Sequence, residues 1–286
     1  MAEELEIKLS LSAGNQEKAL KWLLAQSGTS EGLRKKLVNR YFDTPQADLN
    51  RQRIALRIRQ AGDQFIQTLK TQGEFVDGAH RRQEWEWPLM GTELNMGLVA
   101  DTPVGQNVNL ADLKPVFETN FDRQVVMIEE GETVIEVAID AGYIAAGGRK
   151  RPLHEVEFEL KSGDSSHLVR WARSLAESVP VFLNLVSKAE QGYYLAGLHN
   201  PSILPADEGS ELSVPGFLHS LSVAWLKGET LPVDEGDLVA VECAANSRGA
   251  QQQFRDVHAS LLSGESVANL AERVALGQLQ LSIAAG

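Results

Sequence analysis

The sequence contains a single cysteine, Cys243, among its 286 residues. One cysteine excludes an intramolecular disulfide framework and any zinc or iron–sulfur site built from several thiolates. The low cysteine content also fits a reducing compartment. No stretch approaches the roughly 18 consecutive apolar residues of a membrane-spanning helix, and the acidic N-terminus lacks the pattern of a signal peptide. We therefore expect a cytoplasmic protein without a membrane partner.

Basic residues are also fewer than acidic residues. The chain has 27 Lys and Arg against 39 Asp and Glu, a formal net charge of −12. Because nucleic-acid binding depends on a basic surface, this balance argues against a nucleic-acid partner. The sequence also lacks a G-x-x-x-x-G-K-[ST] phosphate-binding loop. Its hydrophobic fraction of 43% is that of an ordinary globular protein with a sizeable core.

A stretch rich in Pro, Gly and Ser between residues 200 and 216 predicts a boundary between two parts, 1–200 and 201–286. Alternating hydrophobicity predicts eight strands in the first part, at about 3–11, 38–43, 53–60, 64–70, 80–88, 121–128, 133–140 and 153–161. Helical spacing predicts helices at 16–26, 165–178, 188–198, 215–227, 250–263 and 266–281. The last three of these would form a small helical C-terminal region.

Charged residues occupy one face of most of these strands. Because alternate residues share a face, the third strand places Arg57 and Arg59 opposite its apolar residues, and the last strand does the same with Glu155, Glu157 and Glu159. For any single strand, a solvated outer face is the simplest interpretation. Six such strands together favour an antiparallel eight-stranded β-barrel of an α+β protein, with charges inside and flanking helices outside.

An interior with both signs of charge would need partners for them. Arginine is suited to bidentate phosphate contacts, and clustered carboxylates are hard oxygen ligands for Mg²⁺ or Mn²⁺. A polyanion together with a divalent metal ion would satisfy both signs at once.

Several short motifs occur in a fixed order along the first part. The first strand contains the ExExK pattern Glu4-Leu5-Glu6-Ile7-Lys8. The later motifs are Tyr41-Phe42-Asp43-Thr44, Leu56-Arg57-Ile58-Arg59, Thr68-Leu69-Lys70, Arg82-Gln83-Glu84, Phe121-Asp122-Arg123, Glu136 to Gly142, Glu155 to Leu160 and Ser187-Lys188. This series resembles the CYTH superfamily of triphosphate tunnel metalloenzymes, and within it the bacterial inorganic triphosphatases.

The resemblance implies roles for the charged residues. The expected phosphate-binding residues are Lys8, Arg57, Arg59, Lys70, Arg82, Arg123 and Lys188. Five of them, Lys8, Arg57, Arg59, Lys70 and Lys188, are also expected to be catalytic. The expected ligands of Mg²⁺ or Mn²⁺ are Glu4, Glu6, Glu155 and Glu157; Glu159 shares the face of the last two, so spacing leaves open which of the three bind metal. Supporting roles fall to Glu84, Glu136, Asp140 and Glu159.

The chain departs from the family pattern in two places. Gln191 stands where the terminal motif commonly has arginine. Related triphosphatases usually carry a C-terminal CHAD domain, a basic and histidine-rich helical bundle. Residues 204–286 hold 4 basic and 11 acidic residues, so we expect a truncated or divergent CHAD-like region.

The function expected from the resemblance is metal-dependent hydrolysis of inorganic triphosphate to pyrophosphate and phosphate. The alternatives are another triphosphate-processing enzyme of the superfamily (an adenylate cyclase, a thiamine triphosphatase or a nucleoside triphosphatase) or a non-catalytic polyphosphate-binding module. The many carboxylates argue against the binding module, because anion binding alone would not favour them. The sequence leaves homo-oligomerisation open.

Overall fold

The computed structural model describes residues 2–71, 74–76, 79–204 and 211–284, with the backbone alone described for 2–4, 74–76, 80–82, 103 and 106. The strands are β1 (Ala2–Ser10), β2 (Thr29–Asp43), β3 (Ala55–Ala61), β4 (Gln64–Lys70), β5 (Glu74–Val76), β6 (Ala79–Leu89), β7 (Lys114–Glu130), β8 (Thr133–Ala146), β9 (Arg149–Ser162) and β10 (Phe182–Leu183). The helices are α1 (Ala13–Leu24), α2 (Asp48–Arg51), α3 (Met96–Ala100), α4 (Ser166–Ala176), α5 (Lys188–Ala196), α6 (Val214–Lys227), α7 (Val239–Ser247), α8 (Gln251–Leu262), α9 (Val267–Leu270) and α10 (Val274–Ala284).

The strands form one antiparallel sheet in the order β10-β1-β9-β8-β7-β2-β3-β4-β6-β5. The first half of β1 also pairs with β6, with Glu4 opposite Arg82 and Glu6 opposite His80. Eight strands therefore follow one another in a ring of hydrogen-bonded neighbours, which we call the strand ring. The short strands β5 and β10 attach to β6 and β1 respectively.

The predicted α+β architecture with an antiparallel sheet, flanking helices and a helical C-terminal region is confirmed. The sheet has two more strands than the eight predicted, because β5 and β10 are only 3 and 2 residues long and show no usable alternation. Strand β2 begins at Thr29 rather than near residue 38, since its first residues are polar and mostly exposed. The helix predicted over 266–281 is divided into α9 and α10, and α7 was missed.

One apolar core joins the sheet to the helices. It contains Ile7 and Leu9 of β1 together with Phe217 of α6 and Leu279 of α10, all with no exposed surface. The C-terminal helices therefore cover the outer face of β1 and its neighbours, as burial of an apolar helix face requires. The domain boundary near residue 200 remains a prediction. No described helix has the length and apolar character needed to cross a membrane.

The link between the two parts of the chain can be tested at Phe182. Its fully buried ring stacks on Trp225 of α6 with centroids 5.6 Å apart. We expect Phe182→Ala to lower the free energy of unfolding by about 3–5 kcal/mol, because it leaves a cavity in the shared core. Urea denaturation measures this change. Leu33→Ala, at a side chain that is 68% exposed, is the control, and a similar small loss in both variants would contradict the shared core.

Candidate active site

A cavity of about 290 Å³ lies inside the strand ring, and all eight strands of the ring contribute side chains to it. Six of the seven predicted phosphate-binding residues line it: Lys8, Arg57, Arg59, Lys70, Arg123 and Lys188. The side chain of the seventh, Arg82, lies outside the described residues, as does that of Glu4. The predicted carboxylates that line the cavity are Glu6, Glu84, Glu136, Glu157 and Glu159.

The arginines of β3 form the most concentrated positive charge in the cavity. Arg59 Nε donates to Asn39 Oδ1 at 2.9 Å, and Arg57 Nη1 donates to the Tyr41 hydroxyl at 3.4 Å. Burial and the neighbouring charges of Arg57 and Arg123 lower the pKa of Arg59 to about 10. Two neighbouring guanidinium groups whose positive charges repel each other are well suited to bind an anion.

Glu84 of β6 accompanies these cations. It accepts from Lys70 Nζ at 3.0 Å and lies 4.0 Å from Arg57 Nη2. The expectation that Glu84 supports a basic residue of the interior therefore agrees with its position, although its shorter contact is with the lysine.

Lys188, the first residue of α5, lies at the centre of a buried ionic network. Its Nζ is 2.6 Å from Glu157 Oε1, 2.7 Å from Glu155 Oε2 and 3.0 Å from Asp140 Oδ2. Burial by itself would lower the pKa of Lys188, but the three carboxylates outweigh it and hold this pKa well above its usual value. Burial would raise the pKa of Glu157, but the charges of Lys188 and Arg123 hold it well below its usual value.

Arg123 of β7 extends this network across the ring. Its Nε and Nη2 each donate to one oxygen of Asp140 at 2.7 Å, and Nη2 also donates to Glu157 at 2.9 Å. Burial would lower the pKa of Arg123, but Asp140 and Glu157 raise it. Asp140 is fully buried and contacts both Arg123 and Lys188; its supporting role remains a prediction.

Lys8 of β1 has a different environment. Its Nζ donates to the backbone oxygen of Val186 at 2.6 Å, and the side chain is only 4% exposed. Burial lowers the pKa of Lys8, in spite of nearby carboxylates that raise it. Of the two buried lysines, Lys8 therefore gives up a proton more readily than Lys188.

Carboxylates on three adjacent strands form the acidic side of the cavity. Glu159 of β9 is directly opposite both Glu6 of β1 and Glu136 of β8 in the sheet register. Lys161 Nζ lies 2.6 Å from Glu159 and 3.8 Å from Glu136. Among the described residues, no group of three His, Cys, Asp or Glu is already arranged to hold a metal ion.

Glu155, a predicted metal ligand, does not line this cavity. It is 1% exposed, binds Lys188 on one side and accepts from Gln191 Nε2 at 3.0 Å on the other. Gln191, which occupies the position of the family's arginine, thus keeps a contact with this buried carboxylate. Glu155 shares a face of β9 with Glu157 and Glu159, but it lies farther along the strand and its side chain does not reach the cavity.

Eight residues that line the cavity were not predicted as site residues: Tyr41, Arg53, Ala55, Thr71, Glu86, Lys161, Ser187 and Ala189. Arg53 precedes Arg57 by four residues and Lys161 follows Glu159 by two, so both keep the even spacing of side chains on one face of a strand. The alternation in the sequence could therefore have identified them. Arg53 also has a left-handed backbone with φ of 55°. Such a conformation is uncommon for a residue with a side chain and often occurs at functional sites.

A model of the CYTH domain matches residues 2–193. The chain belongs to the CYTH family. Its 197 matching residues are 36% identical to an inorganic triphosphatase of Haemophilus influenzae, covering 68% of this chain and 55% of that protein. The chain thus spans about half the length of this curated relative.

A solved structure from Hippeastrum, described as an adenylyl cyclase candidate with a dominant triphosphatase activity, has the same fold. Its TM-score is 0.50 at 16% identity, and the match covers 67% of this chain and 95% of that one. The CYTH match ends before the C-terminal helices, so the CHAD-like character of residues 201–286 stays a prediction.

The buried ionic network makes stability depend on pH. Because the pKa of Glu157 lies well below 4.5 in the folded state, its stabilising contribution is present above about pH 4.5 and is lost as the pH falls towards the folded value. We expect Glu157→Gln to be less stable than the unchanged chain at pH 7, with a difference that narrows below pH 4.5. Urea denaturation from pH 7 to pH 3 tests this.

The matched control is Glu118→Gln, in the exposed ion pair with Arg40. It should change the free energy of unfolding little at any pH, since exposed pairs contribute little. A constant difference between Glu157→Gln and the unchanged chain across this pH range would contradict the assignment.

Proposed function

We propose that this chain hydrolyses inorganic triphosphate to pyrophosphate and phosphate, with a divalent metal ion beside the substrate. The observation that supports this most is the charge of the cavity. Its described lining includes eight Lys and Arg and six Glu side chains, and seven of the eight strands of the ring contribute at least one of them. A chain of phosphates satisfies the cations, and a hard metal ion satisfies the carboxylates. The triphosphatase names of the Haemophilus and Hippeastrum proteins agree with this proposal.

The guanidinium groups of Arg57 and Arg59 would bind phosphate oxygens in bidentate fashion, with Lys70 beside them. Phosphate binding would offset both the burial and the repulsion that lower the pKa of Arg59. In the reaction, these cations would stabilise the charge that develops on the leaving pyrophosphate while a water molecule attacks in line. Because burial lowers the pKa of Lys8, its Nζ would be able to hold or release a proton during the reaction.

The donor set fits Mg²⁺ or Mn²⁺, since carboxylate oxygens are the ligands these ions prefer. Glu6 and Glu159 are aligned on adjacent strands and line the cavity, so we assign them to the metal, with Glu136 next to them. Glu157 is already engaged by Lys188 and Arg123. When bound, the ion would neutralise phosphate charge and help to activate water.

Inorganic triphosphate is favoured over a nucleotide by the environment of Tyr41. It is the only aromatic residue among the described side chains that line the cavity. Its ring is 3% exposed and stacks on Phe117, with centroids 4.4 Å apart. It therefore offers no free face on which a base could stack.

Phosphate release from tripolyphosphate, ATP and thiamine triphosphate tests the proposal. We expect kcat/KM to be highest for tripolyphosphate, activity to disappear with EDTA, and Mg²⁺ or Mn²⁺ to restore it. Arg59→Met should lower kcat/KM by a hundredfold or more, about 2.7 kcal/mol of transition-state stabilisation. Arg40→Met, on the exposed surface of β2, is the control. A higher kcat/KM for ATP, or full activity of metal-free protein, would contradict the proposal.

The metal assignment is tested by Mn²⁺ titration calorimetry without substrate. Glu159→Gln should weaken Mn²⁺ binding more than Glu155→Gln, because only Glu159 lines the cavity. Lys161→Met should strengthen binding, because the lysine now competes for the oxygens of Glu159 and Glu136. The reverse order of the two glutamate variants would show that the deeper carboxylate binds the metal.

A further inference from the structure

The segment 182–188 comprises the second half of the connection between α4 and α5 together with the first residue of α5, and it contacts residues of the cavity. The backbone oxygen of Val186 accepts from Lys8 Nζ at 2.6 Å. Asn184 donates from its backbone to Lys8 O at 3.1 Å and from its side chain to Ser10 Oγ at 2.9 Å. Ser187 caps α5 in a reciprocal bond with Glu190, and the next residue is Lys188. The segment therefore fixes both buried lysines of the cavity.

The C-terminal helices hold the other side of this segment. Gln280 of α10 accepts from Leu183 N and donates to Leu183 O, both at 3.0 Å. Ser222 of α6 accepts from Leu185 N at 3.0 Å. At Gly277 of α10, an added Cβ would lie 2.4 Å from the backbone oxygen of Val181, so α10 approaches the chain there as closely as only glycine allows.

These bonds complete the pairing of β10. Its two residues pair with β1 along one edge, while the amide of Gln280 takes the place of a further strand at Leu183. Gln280 and Leu183 are both fully buried, so water cannot replace the lost bonds without a movement of the chain. Such a movement would carry the Val186 oxygen away from Lys8.

We propose that the C-terminal helices position Lys8 through the segment 182–188, with Gln280 as the main positioning residue. This inference rests on the proposed function, since Lys8 is assigned to triphosphate binding and hydrolysis. It gives the acidic C-terminal region a role that needs no affinity for polyphosphate of its own.

The test compares Gln280→Leu with Gln278→Leu in the full chain. Gln278 lies on the same helix, is half-buried and bonds to Gln253, away from the segment. At a temperature where both variants are folded, kcat for tripolyphosphate should fall at least tenfold in Gln280→Leu and stay within twofold in Gln278→Leu. Amide hydrogen exchange should show lost protection at Leu183 in the first variant alone.

A double variant separates positioning from a general loss of stability. If Gln280 acts through Lys8, Gln280→Leu should reduce the residual kcat of Lys8→Met by much less than tenfold. Should Gln280→Leu not fold, Ser222→Ala, which removes one bond at Leu185, takes its place with a smaller expected loss.

Three outcomes are decisive. Equal kcat in the two glutamine variants, or losses that multiply in the double variant, would overturn the positioning role. Absence of triphosphate hydrolysis by the unchanged chain would instead overturn the proposed function.

Discussion

Several charged side chains that point into the strand ring are buried and have to be paired inside it. The network in which Lys188 contacts Asp140, Glu155 and Glu157 is the clearest example, because removal of one partner would leave an uncompensated buried charge. These four charges come from three elements, so the network requires β8, β9 and α5 to be in place at the same time. The order of the strands and the position of the last helix of the CYTH region both depend on this requirement.

The same constraint explains how the cavity can receive a substrate. Some of the charges in the ring neutralise one another, as Arg123 and the fully buried Asp140 do. Elsewhere in the same cavity, Arg57 and Arg59 lie two residues apart on β3, and Glu159 contacts Lys161. A triphosphate with a divalent ion would supply a partner to charges of both signs. The C-terminal helices would contribute indirectly, through the backbone that they hold beside Lys8.

The alternation of polar and apolar residues was enough to predict which side chains point inward, because the period of a strand is a local property. It correctly brought Arg57 and Glu159 to the same interior. The alternation could not show how deep along a strand each side chain lies. It therefore did not distinguish Glu155 from Glu159, because their surroundings depend on the position of α5. The bond between Gln280 and Leu183 was also beyond reach, because nothing local connects residues 97 apart in the chain.

The central claim is that cations and carboxylates of the strand ring bind a triphosphate and a metal ion together. The most direct measurement is a crystal structure of the full chain with tripolyphosphate and Mn²⁺, with the metal located by its anomalous scattering. The account predicts a manganese peak beside Glu6 and Glu159, and phosphate oxygens in contact with Arg57 and Arg59. A polyphosphate bound outside the ring, or a manganese peak at Glu155, would contradict it.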